Sequence, residues 1–280
     1  MRIGTAHTEM GLRGIVVVGD VAVDLEAAGA GSVRALLEAP ADEAAQIVAE
    51  AAELDGIPLA DVRLGPPVPD PGKILCLGLN YADHVAESGL QRPAQPEFFA
   101  KFANALVGPR DDVRMPGVST QIDYEGELAL VIGKRAKNVA VDAALEHVAG
   151  YMALNDVSAR DLQMRGSQWL PGKILDTFAP CGPLLVSPDE LGDPQDLAIR
   201  TTVNGEVRQE ARTSSMIFSI AEGISYLSTL VTLEPGDIIS TGTPSGVAFG
   251  METPVWLQEG DVVEVEVESI GKLSNRIVAA

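Results

Sequence analysis

Apolar and polar positions alternate in short bursts punctuated by Gly and Pro, and sustained helical periodicity is confined to a few stretches. Residues 128–132 form a short apolar run of the kind that makes a buried strand. Residues 14–25 read as a strand pair turning at Gly19-Asp20, and residues 62–64 as a strand closing that unit. Ser32 is placed to cap a short helix ending before Pro40. Asp42 is placed to cap a second, with Ile47, Ala51 and Leu54 on one face. Residues 73–79 and 148–156 read as strands. Residues 199–203 and 206–210 form a hairpin across Asn204-Gly205, a dipeptide that suits a tight primed turn. Ser214 or Ser215 is placed to cap a helix over 216–230, whose stripe Ile217, Ile220, Ile224 and Leu227 is core. Residues 262–267 and 273–278 pair as a closing hairpin.

Many short strands with few long helices predict a β-rich α+β fold with a rolled or barrel-like mixed sheet. The alternation of a Rossmann or TIM fold is missing. Residues 65–72 hold four prolines and read as a linker. They divide a small N-terminal α+β domain, 1–64, from a catalytic domain, 73–280.

Composition narrows the function. With 46% apolar residues over 280 positions the chain can bury a sizeable core. Forty acidic residues face 20 basic ones, a net charge of −20, which argues against nucleic acid as a partner. An anionic substrate then needs a local positive centre. No apolar run is long enough to span a membrane, and the first residues lack a signal-type apolar core. Cys76 and Cys181 read as buried free thiols. The expectation is a cytoplasmic protein. Nucleotide-binding glycine loops and a serine-nucleophile elbow are absent from the sequence.

The chemistry concentrates around 121–134. Glu125 and Glu127 lie two residues apart at the front of the apolar run, so in a strand they share one face. Two adjacent carboxylates repel, and a buried one is expensive unless paired, which a hard divalent cation resolves. Asp156, at the end of the 148–156 strand, is the natural third oxygen ligand, and Gln163 is placed to edge the same cavity. His84 and Glu87 are i and i+3 neighbours on a short helix, the construction of an oriented general base. The glycine-rich turn Gly242-Thr243-Pro244-Ser245-Gly246 can present backbone N–H groups to an anion or carbonyl. Lys101 and Arg160 either line this cavity or pack beside it; the sequence leaves both open.

Six collinear blocks together resemble the fumarylacetoacetate hydrolase family. They are GLNYADHVAE (78–87), DYEGELALVIG (123–133), NDVSARDLQ (155–163), GKILDTFAPCGP (172–183), VNGE (203–206) and STGTPSGV (240–247). The resemblance implies a mixed β-roll, a homodimer, and Mg²⁺ (with Mn²⁺ or Ca²⁺ as alternatives) held by Glu125, Glu127 and Asp156. It implies that His84 and Glu87 activate water, that Lys173 and Gln163 contact substrate oxygens, and that Gly242 and Thr243 belong to a substrate-binding loop. The expected activity is hydrolysis of a C–C bond in a small anionic 2,4-diketo acid, acylpyruvate-like, with the released enolate stabilised beside the metal and Lys173. The alternative is decarboxylation or tautomerisation of oxaloacetate, or isomerisation or hydration of a 2-oxo-dienoate, on the same scaffold.

Overall fold

The computed structural model describes residues 1–279. Its centre is the strand Gly126–Ile132, buried along its whole length. Leu128, Leu130 and Ile132 enter one apolar core, and Ala129 and Val131 enter another on the opposite face. That two-sided burial is why the run reads as continuously apolar instead of alternating. Each buried Leu or Ile there contributes about 1.5–3 kcal/mol of transfer free energy.

The strand sits inside a mixed twelve-stranded sheet. Val148–Asn155 pairs with it antiparallel on one side, and Ile238–Ser240 antiparallel on the other. Ile238–Ser240 then pairs parallel with Ile74–Gly78, whose outer neighbour is Glu97–Lys101. A second, five-stranded sheet includes Ala198–Val203, Glu206–Arg212, Val262–Val267 and Gly271–Val278. Ile199, Val265, Val267 and Leu273 share a core with Leu128, Leu130 and Tyr151 of the first sheet. The main path is open, ending at Ile57–Pro58 and Glu97–Lys101, so the β-rich α+β fold is rolled without closing into a barrel.

Residues 1–64 join this sheet. Arg2–Thr8 pairs antiparallel with Ala179–Val186, and Ile3, Val16, Leu25 and Leu36 share one core with Ile74, Val131 and Leu154. The proline-rich segment thus lies between two stretches of chain that share a core and a sheet. The short closing strand is Leu64–Gly65, paired with Arg2–Thr8.

Local signals decide the turns and caps. Asn204 and Gly205 both take positive φ, 53° and 80°, as the two-residue hairpin turn requires. Ser32 caps Val33–Glu38 by accepting the Ala35 N–H. Two expected caps are corrected. Helix Ala41–Ala51 starts from Pro40, with Asp42 inside its first turn. The long helix is Ile220–Leu230, capped by Ser219 and not by Ser214 or Ser215. Ser219 and Glu222 close a reciprocal capping box, which satisfies two orphan N–H donors and outcompetes the earlier serines.

Candidate active site

Strand register brings the acids together. Gly126 is opposite Asn155 and Glu127 opposite Leu154, so Asp156 arrives beside Glu125, and its N–H donates to the Glu125 carbonyl at 2.8 Å. One oxygen each from Glu125, Glu127 and Asp156 lie within 4.8 Å of one another, and all three residues are buried. On the other side, Ser240 donates its hydroxyl to Glu127, and the Gly242 N–H donates to the same oxygen at 3.0 Å.

Cations ring the cluster. Lys173 Nζ donates to Oε2 of Glu125 at 2.7 Å and to Oδ2 of Asp156 at 2.9 Å. Lys101 Nζ donates to Oδ1 of Asp156 at 2.6 Å and to the Val157 carbonyl at 3.3 Å. Arg160 lies 2.7 Å from Oε1 of Glu125 and donates to Oδ2 of Asp123 at 2.8 Å and to Gln163 at 2.9 Å. Lys101 and Arg160 are therefore buried beside the acids, with Lys101 at 1% and Arg160 at 4% exposure. The sequence assigned no role to Asp123, whose partner Arg160 lies 37 positions away.

The charges are unequally compensated. Burial disfavours ionisation of Glu125, but Lys173 and Arg160 outweigh it and hold the carboxyl well below the usual range. Glu127 has no such partner. Burial, reinforced by Asp156 and Glu125, pushes it well above the usual value. Lys173 loses by burial but gains more from Asp156 and Glu125, so its ammonium is held. Counting Asp123, four carboxylates face three cations. With Glu127 protonated the sum is zero, and a dication with Glu127 ionised would bring it to +1, the right sign for an anionic substrate. The donor set, three buried carboxylate oxygens, suits a hard cation. The residues present therefore fit a divalent metal.

The cleft above the acids is lined by His84, Glu125, Glu127, Arg160, Gln163, Lys173 and Thr243, with apolar walls from Leu77, Phe99, Trp169 and Phe249. His84 comes from helix Ala82–Ser88, which follows strand Ile74–Gly78. Its Nδ1 lies 2.8 Å from Oε1 of Glu87, which leaves Nε2 as the other ring nitrogen. Oε2 of Glu87 accepts the Gly246 N–H at 2.8 Å. Two predicted loop residues act mainly on the protein itself. Gly242 serves Glu127, and the Thr243 hydroxyl donates to the Gly126 carbonyl while accepting from Gln209. The short helix Arg160–Gln163 puts both Arg160 and Gln163 on the cleft.

The family model for the fumarylacetoacetate hydrolase C-terminal domain matches residues 73–278. The mitochondrial oxaloacetate tautomerase FAHD2A of Bos taurus is 47% identical over 230 residues, covering 81% of this chain and 73% of that protein. The crystal structure of 5-carboxymethyl-2-hydroxymuconate delta-isomerase from Mycobacterium smegmatis is 36% identical with a TM-score of 0.80, covering 100% of this chain and 99% of that one. Maleylpyruvate hydrolase from Sphingobium sp. SYK-6, solved with manganese(II) and pyruvate, is 33% identical with a TM-score of 0.83 over 100% of both chains. With the family model spanning most of its length and these relatives aligned across it, the chain belongs to the fumarylacetoacetate hydrolase family.

Proposed function

We propose that this protein interconverts the enol and keto forms of oxaloacetate, with a divalent cation held by Glu125, Glu127 and Asp156. The observation that carries the reading is the 47% identity to a mitochondrial oxaloacetate tautomerase. It favours the alternative over the C–C hydrolysis that heads the expectations from sequence.

The chain's own groups suit a proton shift. Glu87 beside Nδ1 of His84 favours the tautomer that carries its proton there, which leaves Nε2 as a base. Nε2 takes a proton from C3 of the keto form, and the electron pair moves to the 2-oxo oxygen. The proton then goes to that oxygen, so one C–H bond is exchanged for one O–H bond with no change of mass or oxidation state. To Lys173, its ammonium fixed by two carboxylates on the cleft, we assign stabilisation of the developing oxyanion charge. Arg160 and Gln163 offer donors to a substrate carboxylate. Phe99, Trp169 and Phe249 give the cleft apolar walls that would restrict water around the reacting carbon. A bound Mg²⁺ or Mn²⁺ supplies Lewis-acid polarisation of the 2-oxo group.

Hydrolysis of a 2,4-diketo acid is the second reading, favoured by the likeness to maleylpyruvate hydrolase. Under it His84 activates water instead of a C–H bond. One ultraviolet assay of enol loss separates the two, run on oxaloacetate, acetylpyruvate and fumarylpyruvate with Mg²⁺ and then EDTA. Chelator-sensitive loss of oxaloacetate enol with unchanged mass supports the tautomerase. Appearance of pyruvate and a second acid from a diketo acid, with oxaloacetate untouched, replaces it with the hydrolase.

A further inference from the structure

We infer that Asp123 is a positioning residue that couples the cleft cation Arg160 to the seating of the His84–Glu87 helix. Asp123 is fully buried and both of its oxygens are saturated. Oδ1 accepts the N–H groups of Tyr124 at 2.9 Å and Ala248 at 2.8 Å. Oδ2 accepts Nε of Arg160 at 2.8 Å and the N–H of Phe249 at 3.0 Å. One carboxylate thus holds a charged side chain of the cleft and two successive amides of the segment that walls it.

That segment reaches the dyad. Between Val247 and Met251 the chain makes one short turn, Ala248–Gly250. Just before it, the Gly246 N–H donates to Oε2 of Glu87, and the Tyr124 hydroxyl donates to the Gly246 carbonyl at 2.9 Å. At the far end Gly250 packs on Glu87 so closely that a methyl group there would meet the carboxylate. Glu87 is therefore seated on a loop that Asp123 and Tyr124 pin from below. Phe249 completes the link, with the Arg160 guanidinium 5.4 Å above its ring centroid.

All four bonds end on one carboxylate and are charge-assisted, and only the bond from Arg160 also has a charged donor. Asp123 fixes Nε of Arg160 while the other terminal nitrogen, Nη2, has no partner in the protein. The guanidinium is aimed and not free to turn. A group that orients Arg160 and the dyad together sets substrate affinity and proton transfer at once, without touching substrate.

The inference rests on this cleft being catalytic, and the test separates the two ideas. Asp123→Asn keeps the size and one acceptor oxygen but cannot accept at both edges. In the oxaloacetate assay KM should rise and kcat should fall, each by about tenfold, the size expected for about 1.4 kcal/mol. The Mn²⁺ dissociation constant, read by electron paramagnetic resonance, should change by less than about threefold. Amide exchange in residues 82–88 and 246–250 should quicken by about tenfold. Tyr124→Phe, which loosens the loop and leaves Arg160 held, should lower kcat and leave KM unchanged. If Asp123→Asn does not fold, Asp123→Asn with Arg160→Gln removes the cation that is left with Glu125 as its one acid, and the same exchange measurement applies. Lowered melting temperature with unchanged KM, kcat and local exchange would overturn the inference, as would faster exchange everywhere. If the wild type does not turn over oxaloacetate, the tautomerase reading fails, while the exchange pattern still decides the coupling.

Discussion

Lys101 donates to Asp156 at 2.6 Å, and neither side chain has any exposure to solvent. A buried ion pair is weak evidence of net stabilisation, but breaking one by removing a single partner typically costs about 3–5 kcal/mol. Lys101→Met should therefore destabilise the protein by roughly that amount in urea unfolding, because Asp156 is left with Lys173 alone. A loss below about 1 kcal/mol would mean that Lys173 can carry both acids.

Glu127 is the acid that the protein's own cations leave uncompensated. Burial, then Asp156 and Glu125, raise it above its ordinary value of 4.5. In the metal-free protein above that pH, the folded state keeps a proton that the unfolded chain has released. This contribution to stability is fully present below the unfolded value and is lost as pH rises through the folded one. Metal affinity runs the other way, since the proton must leave for the carboxylate to bind. Glu127→Gln should flatten the metal-free decline and abolish the rise in melting temperature with added Mg²⁺, a rise worth about 2.7 kcal/mol at a hundred times the dissociation constant. Melting curves across pH, with and without metal, check both slopes; an unaltered Mg²⁺ response in the variant would remove Glu127 from the ligand set.

His84 and Glu87 should separate chemistry from binding. His84→Asn should reduce kcat by about 10²–10⁴, the range for a general acid–base group. Mn²⁺ affinity should stay at the wild-type level, because no metal-cluster oxygen bonds to the imidazole. Glu87→Gln should show a smaller loss and an altered pH profile, since the ring keeps its place but loses its anionic partner. Equal loss of metal binding and activity in His84→Asn would show that the dyad helix holds the acid cluster.

Much of this site is legible in the sequence because its signals are local. The i, i+2 spacing of Glu125 and Glu127 and the i, i+3 spacing of His84 and Glu87 translate directly into shared faces. Asp156 was readable as the end of an apolar strand. Lys101 and Arg160 were not, because their partners Asp156 and Asp123 lie 55 and 37 positions away and only the sheet register brings them together. Asp123 carries no local signature at all. The same reason hid the merger of residues 1–64 with the main sheet, since the contact between Arg2 and Val186 spans most of the chain. The cap of the long helix is Ser219 instead of the expected Ser214 or Ser215, because Ser219 alone of the three has a Glu, Glu222, three residues on.

Gly242 and Gly260 make a matched pair for testing the loop. Both take positive φ, 94° and 95°, so an alanine is strained at either. The surroundings differ. A Cβ at Gly260 meets nothing within 4 Å, whereas at Gly242 it would lie 2.8 Å from Cβ of Asn80 and 3.1 Å from the Leu77 carbonyl. Asn80 is buried and bonded to the Phe218 and Thr241 backbones, so it cannot yield, and the strain falls on the 242 peptide. That peptide's N–H is the one given to Glu127. Gly260→Ala should cost about 1–2 kcal/mol of stability from the backbone alone and leave Mn²⁺ binding intact. Gly242→Ala should cost more in the same unfolding assay and also weaken Mn²⁺ binding, because Glu127 loses its amide donor and turns. Equal effects of the two substitutions on metal affinity would mean that the Gly242 amide supports the loop and does nothing for the acid.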